Sequence, residues 1–262
     1  MYPNLRVFTR SLGVLLLVGL AALPRPARSE TINCTAITAV PFTITAPGIY
    51  CLTQDIATNL ASGNAIEIQA NNVVLDLNGH RIGNMAAGAG TFAKGIYALS
   101  RQDITIKSGT VRGFLFGIVL DDFSPYTASQ GNVVEDIRAD HNTFYGILVV
   151  GQGNIIRNTQ VVATGGTTAF GANANAFGIE VVGPEPRVLD NGVLDTFATG
   201  TGVASYGIYF NSASDGLAVN NRISDSQIGI SYTTSSTGKY RDNLTSGVTT
   251  PFSGGTDAGN NH

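Results

Sequence analysis

The sequence contains no tryptophan, and only 13% of its residues are charged. The absence of tryptophan removes the Trp-Asp signature of propeller blades, and the Leu-x-x-Leu-x-Leu frame of leucine-rich repeats is also missing. The scarcity of charge argues against helices with solvated faces. What the chain has in quantity is glycine, with 32 residues, which suits closely stacked strands and tight turns.

Long apolar runs are missing as well, apart from one near the start. Arg6 and Arg10 precede an apolar run at residues 12–23, and Ala27-Arg28-Ser29, with two small residues, follows it. This order predicts a secretory signal peptide at residues 1–29, with an uncleaved membrane anchor as the alternative. No later stretch reaches the roughly 20 apolar residues of a membrane helix. We therefore expect an exported protein, periplasmic or secreted, with no membrane span after cleavage.

The exported chain is expected to be acidic. The whole sequence has 15 Lys and Arg against 18 Asp and Glu, and four of the arginines fall within residues 1–29. The remaining 11 basic residues against 18 acidic ones give a net charge of −7. Such a surface repels phosphate backbones, so nucleic acid is not an expected partner.

Cysteine is limited to Cys34 and Cys51, close to the expected mature N-terminus. In an exported protein this pair predicts one disulfide, worth about 3 kcal/mol in the chain-entropy model. No His or further Cys lies nearby in sequence to complete a metal site. Two short strands flank Pro47-Gly48, and we interpret residues 30–60 as a disulfide-tied hairpin that caps the fold.

A Gly-Ile doublet, most often preceded by an aromatic residue, recurs along the rest of the chain. Its glycines step by 22, 29, 32, 29 and 22 residues, which is typical of one supersecondary unit stacked on itself. The copies are Lys94-Gly95-Ile96, Phe116-Gly117-Ile118, Tyr145-Gly146-Ile147, Phe177-Gly178-Ile179, Tyr206-Gly207-Ile208 and Ile228-Gly229-Ile230.

Two further short apolar strands follow each doublet. Three strands per repeat, each parallel to its equivalent in the next repeat, predict an all-β fold: a single-stranded right-handed parallel β-helix. It would have about seven coils over residues 61–245, with adjacent coils about 4.8 Å apart. Each Ile is expected to point inward, and the Gly beside it to permit a tight corner. Residues 246–262 are expected to form an irregular tail.

Two ladders of side chains follow from this stacking. The aromatic residues before four of the glycines (Phe116, Tyr145, Phe177 and Tyr206) would form either a surface for sugars or an internal stack, and the internal stack is favoured because they lie two residues from an inward Ile. The polar ladder is interpreted as turn formers, since Asn tolerates left-handed backbone geometry. Its members are Asn78, Ser108, Asp136, Asn158, Asn191, Asn220 and Asn243.

One insertion singles out a candidate site. The step from the Gly-Ile strand to the next strand is 15 residues at Ile118 to Val133, against 8 from Ile96 to Ile104, so residues 121–131 must bulge from the rod. Functional residues of solenoids tend to lie on such insertions.

Titratable residues concentrate around this insertion. We interpret Asp121, Asp122 and His141 as candidate catalytic residues, because adjacent carboxyls can raise one pKa and an imidazole can move a proton. The candidate substrate-binding residues are Lys107, Arg112, Tyr126 and Arg138. No cofactor is predicted, although the carboxylates would also suit Ca²⁺. The alternative is that all are ordinary solvated charges.

Residues 72–80, Asn-Val-Val-Leu-Asp-Leu-Asn-Gly-His, resemble the usual first coil of the right-handed β-helix repeat family within the pectate-lyase-like superfamily. The resemblance covers about residues 31–245. The resemblance implies a β-helix fold and a function in binding or modifying polysaccharides. The superfamily includes polysaccharide lyases, polygalacturonases, alginate epimerases and periplasmic accessory proteins of the nitrous-oxide-reductase type.

The motifs of that superfamily are only partly present. Asp121-Asp122 matches the Asp-Asp pair of polygalacturonases, whereas their Gly-His-Gly and Arg-Ile-Lys motifs and the epimerase Asp-Pro-His-Asp motif are absent. On the usual binding face the outward residues would be Tyr97, Val119, Leu148, Glu180 and Tyr209. That row is poor in acids and bases, which argues against a lyase of the common type.

Two functions remain open at this point. The first is an exported protein that binds a polysaccharide, and cleaves it as a polyuronate-type lyase or hydrolase. The second is a non-enzymatic envelope or surface module whose strip of Tyr97, Val119 and Leu148 contacts a partner. The oligomeric state does not follow from the sequence.

Overall fold

The computed structural model describes residues 33–262, so the predicted signal peptide at residues 1–29 lies outside the described residues. Within that range no helix is long and apolar enough to cross a membrane. The elements are β1 Thr35–Ile37, β2 Phe42–Ile44, β3 Gly48–Leu52, β4 Ile56–Ala57, β5 Asn64–Ile68, β6 Val73–Asp76, β7 Arg81–Gly83, a 3-10 helix Met85–Ala87, β8 Lys94–Leu99, β9 Ile104–Arg112, β10 Phe116–Asp121, β11 Val133–Asp140, β12 Tyr145–Val150, β13 Ile155–Arg157, β14 Gln160–Gly165, β15 Ala176–Pro184, β16 Arg187–Leu189, β17 Gly192–Phe197, β18 Ser205–Ser214, β19 Gly216–Val219, β20 Arg222–Ser224, β21 Ile228–Tyr232, β22 Gly238–Arg241, β23 Leu244–Ser246, β24 Thr250–Ser253 and β25 Thr256–Asp257.

These strands form the three faces of a right-handed parallel β-helix. Face 1 is a separate sheet of nine parallel strands, in the order β2, β5, β8, β10, β12, β15, β18, β21 and β24. Faces 2 and 3 belong to one 16-stranded sheet, because the long strands β9 and β11 run through both. These two strands bend at residues with left-handed φ, Ser108 at +58° and Asp136 at +53°. Face 2 contains the first parts of β9 and β11 together with β1, β3, β6, β13, β16, β19, β22 and β25. Face 3 contains the second parts of β9 and β11 together with β4, β7, β14, β17, β20 and β23.

The core of the rod is a stack of apolar side chains from successive coils. Ile118 pairs with Ile147, and Ile147 pairs with Ile179. Ile208 continues the row, and all four side chains are 0% exposed. The predicted superposition of the Gly-Ile segments is therefore confirmed. Face 1 has nine strands against the seven predicted coils, because β2 and β24 extend it at both ends.

The glycine of each doublet is required by the approach of the next coil. A Cβ on Gly117 would lie 2.5 Å from the carbonyl oxygen of Gly146, and one on Gly146 would lie 2.5 Å from that of Gly178. Real Cβ atoms do not approach a carbonyl oxygen this closely, so a side chain would push adjacent coils apart. We expected a tight corner, but the reason for the glycine is contact between coils.

The N-terminal residues form a coil of their own. The predicted disulfide joins Cys34 to Cys51 and ties the start of β1 to β3. Strands β2 and β3 do not pair with each other as a hairpin would, because β2 pairs with β5 on face 1 and β3 with β6 on face 2. At the other end β24 and β25 pair with β21 and β22, so residues 246–262 continue the two sheets instead of leaving them.

Asparagine has two distinct positions at the corner between faces 2 and 3. Five members of the predicted turn ladder have left-handed φ values, namely Asn78, Ser108, Asp136, Asn158 and Asn220. Asn191 and Asn243 lie one residue beyond this turn position and belong to a buried ladder. There the Asn221 Nδ2 atom donates to the carbonyl oxygen of Val188 at 2.9 Å, and Asn221 N–H donates to Asn243 Oδ1 at 2.9 Å. This buried ladder satisfies backbone groups where the strands turn.

Candidate functional site

The outer surface of face 1 is the candidate site, and we call it the groove. Its floor alternates with the buried isoleucines, since successive side chains of a strand point to opposite sides of the sheet. Along the rod the floor consists of Tyr97, Val119, Leu148, Glu180 and Tyr209, which pair in register. Val119 and Glu180 are only 2% and 4% exposed, so the surroundings of the floor shield it.

A ladder of aromatic rings runs along the edge of the groove where the face 1 strands begin. Phe116 stacks on Tyr145 with ring centroids 5.3 Å apart. Phe177 stacks on Tyr145 at 4.8 Å and on Tyr206 at 5.1 Å. None of the four belongs to the apolar core of the rod, and Tyr209 of the floor contacts both Phe177 and Tyr206. The favoured internal stack is therefore wrong, since the ladder lies outside the core.

The pairing of the strands explains this reversal. The register passes from the pair Phe116–Tyr145 to the pair Ile118–Ile147, and the glycines between them are not paired. The Gly117 Cβ direction points at Asn142, which is fully buried. The strand is irregular at the glycine, so residues on either side of it do not obey the two-residue alternation on which the prediction depended.

Two loops extend this edge of the groove with exposed rings. Phe92 and Phe170 are 49% and 47% exposed and meet edge to face at 6.0 Å. The loops that carry them hold each other, because Thr168 N–H donates to the carbonyl oxygen of Ala89 at 3.0 Å. Phe170 also contacts Phe144 at 4.9 Å, which joins the exposed pair to the ladder.

The predicted insertion lies along the opposite edge of the groove, where the face 1 strands end. A Cβ on Gly183 would lie 3.1 Å from Tyr126 Cβ, and one on Gly151 would overlap the carbonyl oxygen of Ser129. The insertion therefore packs on the ends of β12 and β15. The floor thus lies between the aromatic edge and the insertion.

Asp122 anchors this insertion. Its Oδ2 atom accepts hydrogen bonds from the backbone N–H groups of Ala128 and Ser129, both at 2.8 Å, and its Oδ1 atom accepts one from Ser100 Oγ at 2.8 Å. Burial opposes ionisation, but these hydrogen bonds together hold the pKa of Asp122 below its ordinary value. An ionised carboxylate with this many donors holds a loop and is a poor proton donor.

Two other carboxyl groups of the groove have raised pKa values. Burial raises the pKa of Asp121, with a smaller contribution from Asp122, against the backbone N–H of Asp122 and the charge of Lys94. Burial also raises the pKa of Glu180, against hydrogen bonds from Asn211 and Tyr145. Asn211 Nδ2 donates to Glu180 Oε1 at 3.1 Å. Apart from Tyr145, the buried Glu180 Oε2 atom has no partner among the described residues.

The other predicted residues lie on different faces. Three of the predicted residues contact the carboxylate of Asp140 on face 3. Its distances are 3.6 Å to Arg112, 3.6 Å to Arg138 and 2.6 Å to His141. Lys107 pairs with Asp76 at 3.3 Å on face 2. Lys107 and Arg138 line a shallow pocket of about 700 Å³ at the corner between faces 2 and 3, which is separate from the groove.

The structure does not bring His141 to Asp121 and Asp122. His141 precedes β12, while Asp121 ends β10, and the first residues of these two strands pair with each other. The two groups therefore lie at opposite edges of face 1, separated by the length of a six-residue strand, about 17 Å. Tyr126 lies in the insertion beside the groove. The predicted site is thus divided between the groove and face 3.

Sequence reasoning placed Glu180 on the outward row but did not select it, and it did not consider Phe92 or Phe170. The burial of Glu180 comes from neighbours in other coils, which a single strand does not reveal. For Phe170 a signal existed, because the link from Val161 to Gly178 is 17 residues long. Among residues 33–262, no three His, Cys, Asp or Glu side chains come together as a metal site.

Comparisons with known proteins bear on the fold. No family model matches the sequence, and no curated protein matches it significantly. Among solved structures, the Dettilon tailspike protein (gp208) aligns with a TM-score of 0.50 and 11% identity, over 81% of this chain and 56% of the tailspike chain. This chain thus spans little more than half of the length of that protein. The chain is a parallel β-helix repeat protein.

A second solved structure is more distant from this β-helix protein. It is the catalytic domain of a GH87 α-1,3-glucanase in complex with tetrasaccharides, with a TM-score of 0.31 and 12% identity over 92% of this chain and 70% of that one. At this TM-score the glucanase alignment carries no argument, and the tailspike alignment describes the fold alone. The argument for function therefore depends on the groove.

Proposed function

We propose that this β-helix protein is exported, binds an extended polysaccharide along the groove, and hydrolyses a glycosidic bond beside Glu180. The observation that carries the proposal is a carboxyl group that is 4% exposed, lies on the outward side of a sheet and has a raised pKa. A buried carboxyl without an ion-pair partner is costly in a purely structural role. The disulfide supports export, because such bonds persist in oxidising compartments.

The chemistry assigns different roles to the two carboxyl groups. Glu180 would donate its proton to the leaving glycosidic oxygen, since burial keeps it protonated to higher pH. Asp121 would act as the carboxylate that takes a proton from the attacking water, helped by the charge of Lys94. The water oxygen then bonds to the sugar carbon as the bond to the leaving oxygen breaks.

Hydrolysis fits the groove better than elimination does. A lyase removes a proton beside a uronate carboxylate, and this step needs cations that neutralise the uronate. The arginines predicted to bind substrate, Arg112 and Arg138, contact Asp140 on face 3 instead. The non-enzymatic alternative needs an exposed apolar strip, but Val119 at its centre is only 2% exposed.

The test is an assay of mature protein on a panel of neutral and acidic polysaccharides. We expect new reducing ends without unsaturated products, and a loss of at least 100-fold in rate for Glu180→Gln. Glu135→Gln is the matched control, because Glu135 is paired with Arg157 on face 2 and should retain full activity. Unsaturated products, or equal activity of the Glu180 variant, would contradict the hydrolytic role. Absence of binding to every polysaccharide would remove the proposed function.

A further inference from the structure

The charge of the groove distinguishes between classes of polysaccharide. Its margins carry the carboxylates of Glu67 and Asp121, while Glu180, which burial keeps protonated, adds no negative charge. Hydrogen bonds from Gln69 and Asn64 lower the pKa of Glu67, so this group is ionised at neutral pH. Lys94 is the cation placed among them, with its Nζ atom 4.8 Å from the centre of the Tyr97 ring. Burial raises the pKa of the Tyr97 hydroxyl, and the negative charges of Asp121 and Glu67 raise it further.

A polyuronate chain would bring one carboxylate per sugar into this negatively charged groove. Like charges that are brought together and desolvated at a binding surface repel each other and disfavour that partner. A polymer of uncharged sugars avoids this cost and can still hydrogen bond to carboxylates through its hydroxyl groups.

The exposed rings at the edge of the groove suit the apolar face of a pyranose. The inner rings of the ladder are stacked nearly parallel, such as Phe177 on Tyr206 at 4°, so their faces already contact each other. Phe92 and Phe170 differ, because their planes lie at 78° and an edge-to-face contact covers at most one face of a ring. Both are about half exposed, which leaves ring surface open to a ligand.

The exposed pair is held in place and is continuous with Glu180. Phe170 packs on Phe144, and Phe144 contacts Tyr145 with ring centroids 4.5 Å apart. Tyr145 in turn lies beside Glu180 and opposes the rise in its pKa. The mutual hydrogen bonds of the two loops, including Thr167 Oγ1 to the carbonyl oxygen of Ala89 at 3.3 Å, fix the rings before any ligand arrives.

We propose that the groove takes a neutral polysaccharide and that Phe92 and Phe170 are a platform on which one of its pyranose rings lies. This inference rests on the proposed function, since it names the substrate class and a binding subsite of the same groove. It assigns the two phenylalanines to binding and gives them no part in proton transfer.

The experiment measures binding by affinity electrophoresis and calorimetry. The probes are neutral glucans, mannans, galactans and xylans, with pectate and alginate as the charged counterparts. We expect at least one neutral polymer to bind at least tenfold more tightly than either polyuronate. The double variant Phe92→Leu, Phe170→Leu keeps apolar volume but removes the rings, and should weaken neutral binding at least tenfold.

Two controls separate the platform from general damage. Leu244→Ala truncates an exposed apolar side chain in β23 on face 3, away from both loops, and it should leave binding unchanged. Phe92→Tyr with Phe170→Tyr keeps both rings and should restore binding, which a variant with a damaged fold would not do.

The outcomes separate this inference from the proposed function. Tight binding of pectate or alginate without binding of neutral polymers overturns the inference and leaves polysaccharide binding in place. Neutral binding that the leucine pair does not change overturns the platform alone. Failure to bind any polymer removes the proposed function itself.

Discussion

At the scale of single residues, the buried carboxyl of Glu180 makes stability depend on pH. The folded protein holds the Glu180 proton more tightly than the unfolded chain, whose glutamates titrate near pH 4.3. The favourable contribution of the protonated group is therefore complete below that pH and is lost as the pH rises through the raised pKa. Each pKa unit of the shift is worth about 1.4 kcal/mol.

Glu180→Gln removes this dependence, because its side chain stays neutral. We expect the variant and the original protein to have similar free energies of unfolding at pH 4, and the variant to be more stable by about 1 kcal/mol or more at pH 8. Urea unfolding at both pH values measures the difference. Glu135→Gln should show no such gain, and a Glu180 variant that is equally unstable at both pH values would contradict the buried, protonated state.

Residue identity alone was a poor guide to role. Asp121 and Asp122 are adjacent and looked equivalent in the sequence, but one has a raised pKa and the other accepts three hydrogen bonds that lower its pKa. The difference arises from the backbone of residues 128–129, which folds back onto Asp122. No local sequence pattern predicts that residues 128–129 fold back onto Asp122.

At the scale of the strand, the Gly-Ile doublet predicts a steep cost for any side chain at the glycine. A Cβ in Gly146→Ala would lie 2.5 Å from both the Gly178 carbonyl oxygen and Val161 Cγ1. We expect a loss of about 2–4 kcal/mol in the free energy of unfolding. Gly192→Ala is the matched control, since nothing lies within 4 Å of its Cβ position. Equal losses in urea titrations of the two variants would show that crowding between coils is not the cause.

Strand positions were predictable where the two-residue alternation is regular. The Ile row was placed correctly because each Ile lies in a regular stretch with a buried partner above and below. The aromatic ladder was misplaced because its residues lie across an unpaired glycine from that stretch. Likewise, Asn191 and Asn243 were assigned to the turn although they lie one residue beyond it, and a one-residue shift changes the side of the sheet to which a side chain points.

At the scale of the whole molecule, each coil contacts mainly its neighbours, so damage at one end should stay local. Reduction of the disulfide between Cys34 and Cys51 should therefore loosen β1 to β4 without opening the distant coils. We expect a loss of up to about 3 kcal/mol, with faster amide hydrogen exchange in β1 to β4 and unchanged exchange in β19 to β25. The double variant Cys34→Ser, Cys51→Ser should behave in the same way without reductant. Uniform acceleration along the rod would indicate a fold that opens as one unit.

The architecture of the rod could be predicted because its repeats are periodic, whereas the groove could not. The groove combines an insertion after β10, loops before β8 and β15, and a carboxyl on the floor between them. Phe92 and Phe170 are 78 residues apart in the sequence, and they meet only because the coils between them are stacked. Such a contact follows from the lengths of several loops at once.

The position of the disulfide also has a consequence for synthesis. Both of its cysteines lie in the first coil, so the covalent bond can form as soon as Cys51 has emerged from the ribosome or translocation channel. A chain delivered amino end first would complete this coil early, and every later coil would add to a strand edge that already exists. A chain that stopped before β24 and β25 would leave the edges of β21 and β22 unpaired and able to recruit other nascent chains.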